Sequence, residues 1–326
     1  MAPVLRYMLR RILQLLPVAL IIVLAAFLLL RLAPGDMVDV MAGESGAATP
    51  EYMAQLREKF NLDAPAYVLF GQYLGSLAHL DLGYSFRNNL PVSTLIAERV
   101  PATLLLMLAA VLVAAVLGIG LGALAARFRG RWVDELISTV STIGFATPVF
   151  WVGLLLIVVF SIHLRWLPSA GMQTIGGVDG AWASLLDRLR YLALPALSLA
   201  FFYLSIYVRM TRSAMLEVYG LDFVRTARAK GLSETRIAWR HVLRNALLPL
   251  VTITGLQLGS LMGGSIVVET VFSWPGLGRL AFDAVFQRDI NLLLGIFLCS
   301  SFLVILMNLL VDLLYALLDP RIEIRS

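Results

Sequence analysis

Few residues in this chain of 326 could carry out phosphate, metal or nucleophilic chemistry. A phosphate-binding loop places lysine directly after glycine amides, but neither of the two lysines, Lys59 and Lys230, follows a glycine. The histidines His79, His163 and His241 are isolated from one another, so they cannot form a zinc-binding helix with two histidines four residues apart. We therefore expect no metal and no cofactor in this chain.

One short motif resembles a nucleophilic site. Residues 43–46 have the Gly-x-Ser-Gly pattern of intramembrane serine proteases, with Ser45 as the nucleophile. Such a nucleophile needs a helix within the bilayer and a histidine within hydrogen-bond reach. Ser45 instead lies in a Gly/Ala/Ser-rich stretch between apolar segments. An intramembrane protease is therefore only a remote alternative.

The composition indicates an integral membrane protein of the all-α class. Hydrophobic residues make up 60% of the chain and charged residues only 14%, against roughly 25% charged in soluble domains. Six apolar segments are long enough to cross about 30 Å of hydrocarbon as helices. They are 12–30, 100–126, 136–162, 191–208, 245–268 and 290–318.

The charges in and around these segments limit both mechanism and orientation. An ion-coupled secondary transporter is the first alternative, but it would place ionisable residues at mid-depth, and only the sixth segment contains one, Asp312. With both termini in the cytoplasm, 16 of the 26 basic residues lie on the cytoplasmic side, as the positive-inside rule requires. The basic residues therefore indicate topology and membrane lipid, and we expect no nucleic-acid partner.

The chain divides into three predicted parts. Residues 1–99 form a cytoplasmic N-terminus, the first membrane helix and an external cap, in which 51–60 and 67–80 are expected to be short helices. Residues 100–318 form a core of five membrane helices that includes a cytoplasmic loop, 209–244, and residues 319–326 form a cytoplasmic tail. Ala110, Ala114, Gly118 and Gly122 recur every four residues, which predicts close helix packing. Pro148 and Pro195 predict kinks in the third and fourth apolar segments.

The cytoplasmic loop has the pattern of two short helices joined by a turn. Asp222 begins an amphipathic stretch in which Phe223, Val224 and Ala227 share one side. Gly231 is placed to end that helix, and Ser233 is placed to cap a second helix that continues to the membrane. We call residues 219–232 the knob. Composition alone leaves two functions open: a docking surface for a partner, or a basic surface on anionic lipid.

The knob resembles the EAA loop of ATP-driven ABC importer permeases, in the form found in the dipeptide, oligopeptide and nickel permease family. Counting back from Gly231 places Arg225, Thr226 and Ala227 at the Glu-Ala-Ala positions, so the glutamate of the general pattern is missing. The resemblance implies that the short helix docks into a groove on an ATPase, with Phe223 and Val224 beside Ala227 as filling side chains. The implied coupling residues are Asp222, Phe223, Val224, Arg225, Thr226, Ala227, Arg228, Ala229, Lys230 and Gly231.

Further segments resemble the same family along nearly the whole chain. They are residues 33–36 (APGD), 81–85 (DLGYS), 268–278 (VETVFSWPGLG) and 308–321 (NLLVDLLYALLDPR). The residues after Trp274 have helical spacing and predict a short external helix near a gate.

The resemblance also implies how such a protein works. We expect a type I ABC importer transmembrane fold in a bacterial or archaeal cytoplasmic (inner) membrane. A second, homologous permease would complete the path as a heterodimer, and two cytoplasmic ATPases would bind ATP and Mg. An external solute-binding protein would deliver a peptide, nickel or related small solute. The chain itself would be a transport subunit and not an enzyme.

Overall fold

The computed structural model describes residues 2–32 and 64–318. In these residues the regular secondary structure is helical apart from one short antiparallel hairpin, so the all-α class is confirmed. The elements are α1 (Ala2–Leu32), α2 (Ala66–Ala78), β1 (Tyr84–Ser85), β2 (Leu90–Pro91), α3 (Val92–Arg127), α4 (Trp132–Ala146), α5 (Val149–Leu156, continued as a π-helix over Ile157–His163), α6 (Ala181–Tyr219), α7 (Asp222–Ala229), α8 (Glu234–Arg236, π-helical Ile237–Val242 and Leu243–Ala246), α9 (Leu248–Val271), α10 (Leu277–Gln287) and α11 (Ile290–Leu318).

Several helices are long and apolar enough to cross a membrane. Among the described residues they are α1, α3, α6 and α11, and a fifth candidate is the bent pair formed by α4 and α5. Helix α9 coincides with the predicted segment 245–268. Helix α6 continues to Tyr219, so the first part of the predicted loop 209–244 is the end of this long helix.

The third predicted segment, 136–162, is not one straight helix. Helix α4 ends at Ala146, Thr147 is extended, and α5 begins directly after Pro148 at an angle of 106° to α4. Proline disfavours a helical conformation in the residue before it and has no amide hydrogen to donate, which explains the break. We predicted a kink at Pro148, but the change of direction is far larger than a kink. The other predicted kink, at Pro195, lies inside the uninterrupted helix α6.

The described residues form two compact units. The first contains α1, α2, the hairpin, residues 92–101 and Leu280–Leu306. Its apolar cluster brings Val23 and Ala26 of α1 together with Leu298 of α11 and with Phe70 and Tyr73 of α2. Helix α2 confirms the helix predicted over 67–80, whereas residues 51–60 lie outside the described residues.

Residues 81–85 bind the hairpin to the start of α11 within this first unit. The Asp81 carboxylate accepts a hydrogen bond of 2.9 Å from the Gly83 amide, and Gly83 has a φ of +89°, which glycine adopts without strain. Ser85 is buried and donates to the carboxylate of Asp289, which also accepts a bond of 3.1 Å from the Leu292 amide. Asp289 therefore caps α11 and holds the hairpin at the same time.

The second unit contains Ala102–Arg279 and, of the described residues, also 307–318. Its packing confirms the stripe of small residues on α3, where Ala110 and Ala114 are fully buried. A side chain at Gly118 would meet the backbone oxygen of Leu204 at 3.1 Å, and one at Gly122 would meet that of Val208 at 2.6 Å. These glycines therefore permit the backbones of α3 and α6 to approach closely.

Candidate functional site

The knob begins where α6 ends. Tyr219 is the last residue of α6, and Gly220 and Leu221 turn the chain into α7, whose eight residues begin at Asp222. The Val224 amide donates to the Leu221 carbonyl at 3.1 Å, and the Thr226 hydroxyl donates to the Asp222 carbonyl at 3.1 Å. The predicted helix is thus present, with an acidic residue in its first turn and a basic one in its last, as the helix dipole favours.

Gly231 ends α7 as predicted. Its φ is +75°, and its amide donates to the Arg228 carbonyl at 2.9 Å. The Leu232 amide donates to the Ala227 carbonyl at 3.3 Å, which completes the pair of hydrogen bonds that defines a Schellman motif. Leu232 is half-buried and packs against the same apolar cluster as the rest of the helix. This backbone geometry fixes the direction in which the chain leaves the knob.

The inner side of α7 packs against the chain itself. Val224 is 0% exposed and Ala227 is 6% exposed. Both belong to one apolar cluster with Met215 of α6 and with Ile237 and Val242 of α8. Val224 and Ala227, which the sequence predicts to fill a groove on an ATPase, lie in this structure in the core that holds the knob to its own subunit. Their part in ATPase docking stays a prediction.

The outer side of α7 is free of contacts with that core. Phe223 is 41% exposed, although Val224 beside it is fully buried. Seven further coupling residues are exposed as well. They are Asp222, Arg225, Thr226, Arg228, Ala229, Lys230 and Gly231. The outer side of α7 thus presents one aromatic ring, that of Phe223, within a largely basic surface.

Two basic residues of α7 form ion pairs that shape this surface. Arg228 donates to Glu234 at the start of α8 through two bonds, Nε to Oε1 at 2.8 Å and NH2 to Oε2 at 3.3 Å. These bonds hold the pKa of the Glu234 carboxyl below its usual range and raise the pKa of Arg228. Arg225 lies 3.5 Å from the carboxylate of Asp222, and both are largely exposed. The Arg228–Glu234 pair therefore links α7 to α8 across the turn.

Helix α8 is capped as the sequence predicted. The Ser233 hydroxyl accepts a hydrogen bond from the Arg236 amide at 3.4 Å. Ile237, Val242 and Leu243 are buried, whereas Trp239 is 46% exposed. The helix passes through a π-helical stretch between Ile237 and Val242 before it reaches α9. The apolar side of α8 and the inner side of α7 thus belong to one small core, to which α3 and α6 also contribute.

A second set of polar contacts holds together the segment 268–278, where α9 ends and α10 begins. Glu269, at the end of α9, is 0% exposed, and its carboxylate accepts bonds from the Thr103 hydroxyl at 2.8 Å and the Arg279 amide at 2.9 Å. Thr103 in turn accepts from the Leu277 amide at 2.7 Å. The first amides of α10 are therefore satisfied by side chains of α9 and α3, as a helix N-terminus requires.

Glycine and tryptophan complete this arrangement. A side chain at Gly276 would overlap the Glu269 carboxylate, and one at Gly278 would lie 2.9 Å from it. The buried Trp274 indole donates from Nε1 to the Ala102 carbonyl at 2.9 Å. The sequence identified the segment and the helix that follows it, but it carried no signal that Glu269 would cap that helix.

The described residues do not form a metal site, and the candidate nucleophile lies outside them. Among the described residues, no three His, Cys, Asp or Glu side chains are placed to hold a metal ion. Ser45 and the segment 33–36 lie outside the described residues.

Comparison with known proteins gives matches along nearly the whole chain. Residues 118–324 match the family model of the binding-protein-dependent transport system inner membrane component, and residues 4–107 match the model of the N-terminal region of such components. The oligopeptide transport system permease protein AppB of Bacillus subtilis is 42% identical over 318 residues, 97% of this chain and 99% of AppB.

Two further relatives and one solved structure are similar. The di/tripeptide permease DppB of Pseudomonas aeruginosa is 42% identical and the dipeptide permease DppB of Escherichia coli 40% identical, each over 98% of this chain and 99% of the relative. A chain from an inward-facing structure of the MetNI methionine ABC transporter superposes with a TM-score of 0.55 at 19% identity. It covers 69% of this chain and 96% of its own, which supports a shared fold.

Proposed function

Since the chain belongs to the family of binding-protein-dependent transport system inner membrane components, we propose that it transports peptides. It is a multi-pass permease subunit of an ABC importer and not an enzyme, which excludes the ion-coupled transporter and the protease. The observation that supports a peptide cargo is the 40–42% identity, over nearly the full length, to permeases named for oligopeptides, di/tripeptides and dipeptides.

The subunits around the chain follow from its family in outline. ABC importers of this kind work with ATPase subunits and a binding protein. Beyond that outline, we propose a heterodimer with a second, homologous permease and one ATPase beneath each permease. ATP and Mg would be bound by those ATPases, in line with the lack of any Gly-Lys pair in this chain.

The knob is the surface that we propose for ATPase contact. Three features support it: a rigid Schellman end at Gly231, an apolar core that attaches α7 to its own subunit, and an outer side that none of the described residues covers. Phe223 would be the apolar anchor, because aromatic rings in small pockets carry much of the binding energy at interfaces. Asp222, Arg225, Thr226 and Ala229 would surround it.

We propose the same orientation as the charge distribution favours, with both termini and the knob in the cytoplasm. The long helix α6 would then reach the knob from the membrane at its C-terminal end. We also retain the proposed division at residues 99 and 100, between the N-terminal part and a core of five membrane helices.

The cargo can be tested in cells that lack this chain. We expect deletion of its gene to abolish uptake of a labelled dipeptide or tripeptide, and expression of the intact chain to restore it. Unlabelled peptides should compete for uptake, whereas nickel and free amino acids should not. Normal peptide uptake in the deletion strain, together with loss of nickel uptake, would refute the peptide assignment while leaving the permease family intact.

A further inference from the structure

One partly buried ion pair connects two membrane helices near the base of the knob. Asp134 lies in the first turn of α4, and its side chain is only 6% exposed. Arg212 of α6 binds it through two bonds, Nε to Oδ1 at 2.6 Å and NH2 to Oδ2 at 2.8 Å. This paired geometry fixes the orientation of both side chains more strictly than a single contact could.

The same carboxylate also holds the turn that precedes α4. Oδ2 accepts from the Gly130 amide at 3.0 Å, and Oδ1 lies 3.4 Å from the Ser138 hydroxyl. The start of α4, the turn between α3 and α4, and the arginine of α6 thus meet at one side chain. Arg212 is seven residues before the end of α6, which corresponds to about 10 Å along the helix axis. The pair therefore lies close to the point where α6 becomes the knob.

The other end of α4 is also attached to α6. Phe145 stacks on Phe202 with ring centroids 5.3 Å apart and 19° between the ring planes. The Arg209 guanidinium lies 5.0 Å from the Phe145 ring centre, and a side chain at Gly144 would lie 3.1 Å from Phe201. Helix α4 is therefore fastened to α6 by the ion pair at its start and by aromatic contacts at its end.

Helix α5 is held differently. It begins after the 106° bend and contacts both α6 and the end of α9, since the Ser198 hydroxyl donates to the Val149 carbonyl at 3.1 Å and a side chain at Gly153 would lie 3.1 Å from Phe272. The break at Pro148 interrupts the backbone hydrogen bonds between α4 and α5. The two halves of this bent span can thus change their angle without breaking either helix.

We propose that Asp134 and Arg212 are positioning residues for transport. Their ion pair makes α4 move together with the base of the knob when an ATPase pushes on the knob. The proposal rests on the proposed contact between the knob and the ATPase. Movement of α6 at Arg212 would pull the start of α4, and the bend at Pro148 would absorb the change of angle towards α5. Rigid-body shifts of packed helices are a common way in which such switches work.

The ion pairs of the knob do not offer the same connection. Among the described residues, Arg225–Asp222 lies within one helix and Arg228–Glu234 links two neighbouring short helices, and both pairs are substantially exposed. Asp134–Arg212 is 78 residues apart in the chain and has a buried carboxylate. It is therefore the pair whose loss should alter movement between membrane helices.

The test uses the complete transporter in proteoliposomes: both permeases, the ATPases and the binding protein. Cargo uptake and ATP hydrolysis are measured in the same vesicles for Asp134→Asn, for Arg212→Gln and for the double variant. We expect each single variant to bind the ATPases and hydrolyse ATP, but to transport about tenfold less cargo per ATP, within the usual range of coupling between sites. The double variant should be no worse than the more impaired single variant, because both changes remove one interaction.

The matched control is Asp187→Asn. This carboxylate also accepts two bonds, from the amide and hydroxyl of Thr174 at 2.7 Å each, but it lies on the N-terminal part of α6, far along the helix from the knob. We expect its cargo per ATP to be unchanged. Unchanged cargo per ATP in Asp134→Asn, or uptake and hydrolysis that fall in proportion to the amount of assembled complex, would overturn the proposal.

If Asp134→Asn and Arg212→Gln do not assemble with the other subunits, the conservative variant Arg212→Lys tests the proposal instead. Arg212→Lys keeps the charge but loses the two parallel bonds, so we expect an intermediate cargo-to-ATP ratio. A wild-type ratio in Arg212→Lys would overturn the proposal. Failure of the knob contact itself would look different, because Phe223→Ala would then bind the ATPases as tightly as the unaltered complex does.

Discussion

Phe223 and Val224 are neighbours with opposite environments, and this makes them a matched pair for testing the knob. Val224 is 0% exposed within the chain's own core, whereas Phe223 is 41% exposed on the outer side. Val224→Ala should therefore reduce the stability of the isolated chain by about 1–3 kcal/mol, because it removes buried methyl groups and leaves a cavity. Phe223→Ala should change that stability by less than about 0.5 kcal/mol, as is usual at exposed positions.

The same two variants should differ in the opposite direction in ATPase binding. If Phe223 fills a pocket on the ATPase, its loss should weaken binding by about 2 kcal/mol or more, which is roughly a thirtyfold rise in dissociation constant. Val224→Ala should bind the ATPase within about threefold of the unaltered chain once only folded protein is counted, since Val224 makes no outward contact.

The measurement combines thermal unfolding of the purified permeases with titration of the ATPase against them. Phe223→Tyr serves as a control, because it keeps the ring and should retain most of the affinity. Tight ATPase binding by Phe223→Ala, with weak binding by a fully folded Val224→Ala, would show that the opposite side of α7 is the docking side.

Four further outcomes follow from the same structure. Gly231→Val should lower ATPase co-purification and transport, because a β-branched residue at φ +75° costs about 1–2 kcal/mol even though the space around it is open, whereas Gly231→Asn should be nearly normal. In intact cells with a cysteine-free background, an impermeant thiol reagent should label Ser76→Cys but not Ser233→Cys; the reverse pattern would invert the topology. The purified chain alone should bind no ATP, and stoichiometric binding without partner subunits would contradict the absence of a phosphate loop. The pKa of the Glu234 carboxyl is lowered in the folded chain, so its pair with Arg228 stabilises the knob at any pH above the ordinary carboxyl pKa. This stabilisation is lost as the pH falls through the lowered pKa. Because both side chains are about half exposed, it amounts to at most about 0.5 kcal/mol. Amide protection of the knob, corrected for the intrinsic pH dependence of exchange, should therefore fall slightly with acid in the native chain and stay constant in Arg228→Gln.

The sequence predicted the features of the knob that depend on local backbone chemistry. Gly231 ends a helix because only glycine readily takes a positive φ at that position, and Ser233 caps the next helix because its hydroxyl reaches a free amide. It did not predict which apolar side chains of α7 face inward. Phe223, Val224 and Ala227 all have suitable chemistry for either side, and the choice depends on contacts with α8.

Contacts between distant parts of the chain were also beyond reach of the sequence. Asp134 and Arg212 are 78 residues apart, and Thr103 and Glu269 are 166 residues apart. Neither pair leaves a periodic or local pattern. The bend after α4 was half predicted: Pro148 indicated a disturbance in the helix, but the angle of 106° depends on how α4 and α5 pack against α6.

Uptake of a labelled dipeptide into sealed proteoliposomes is the most direct test of this chain's function. The vesicles contain this chain, a second permease, the ATPases and the external binding protein, with ATP supplied on the ATPase side. We predict accumulation that requires ATP and all of these components, and that is reduced at least tenfold by Phe223→Ala. Accumulation driven by an ion gradient in vesicles that contain this chain without ATPases would contradict the account, as would ATP-dependent uptake that Phe223→Ala leaves unchanged.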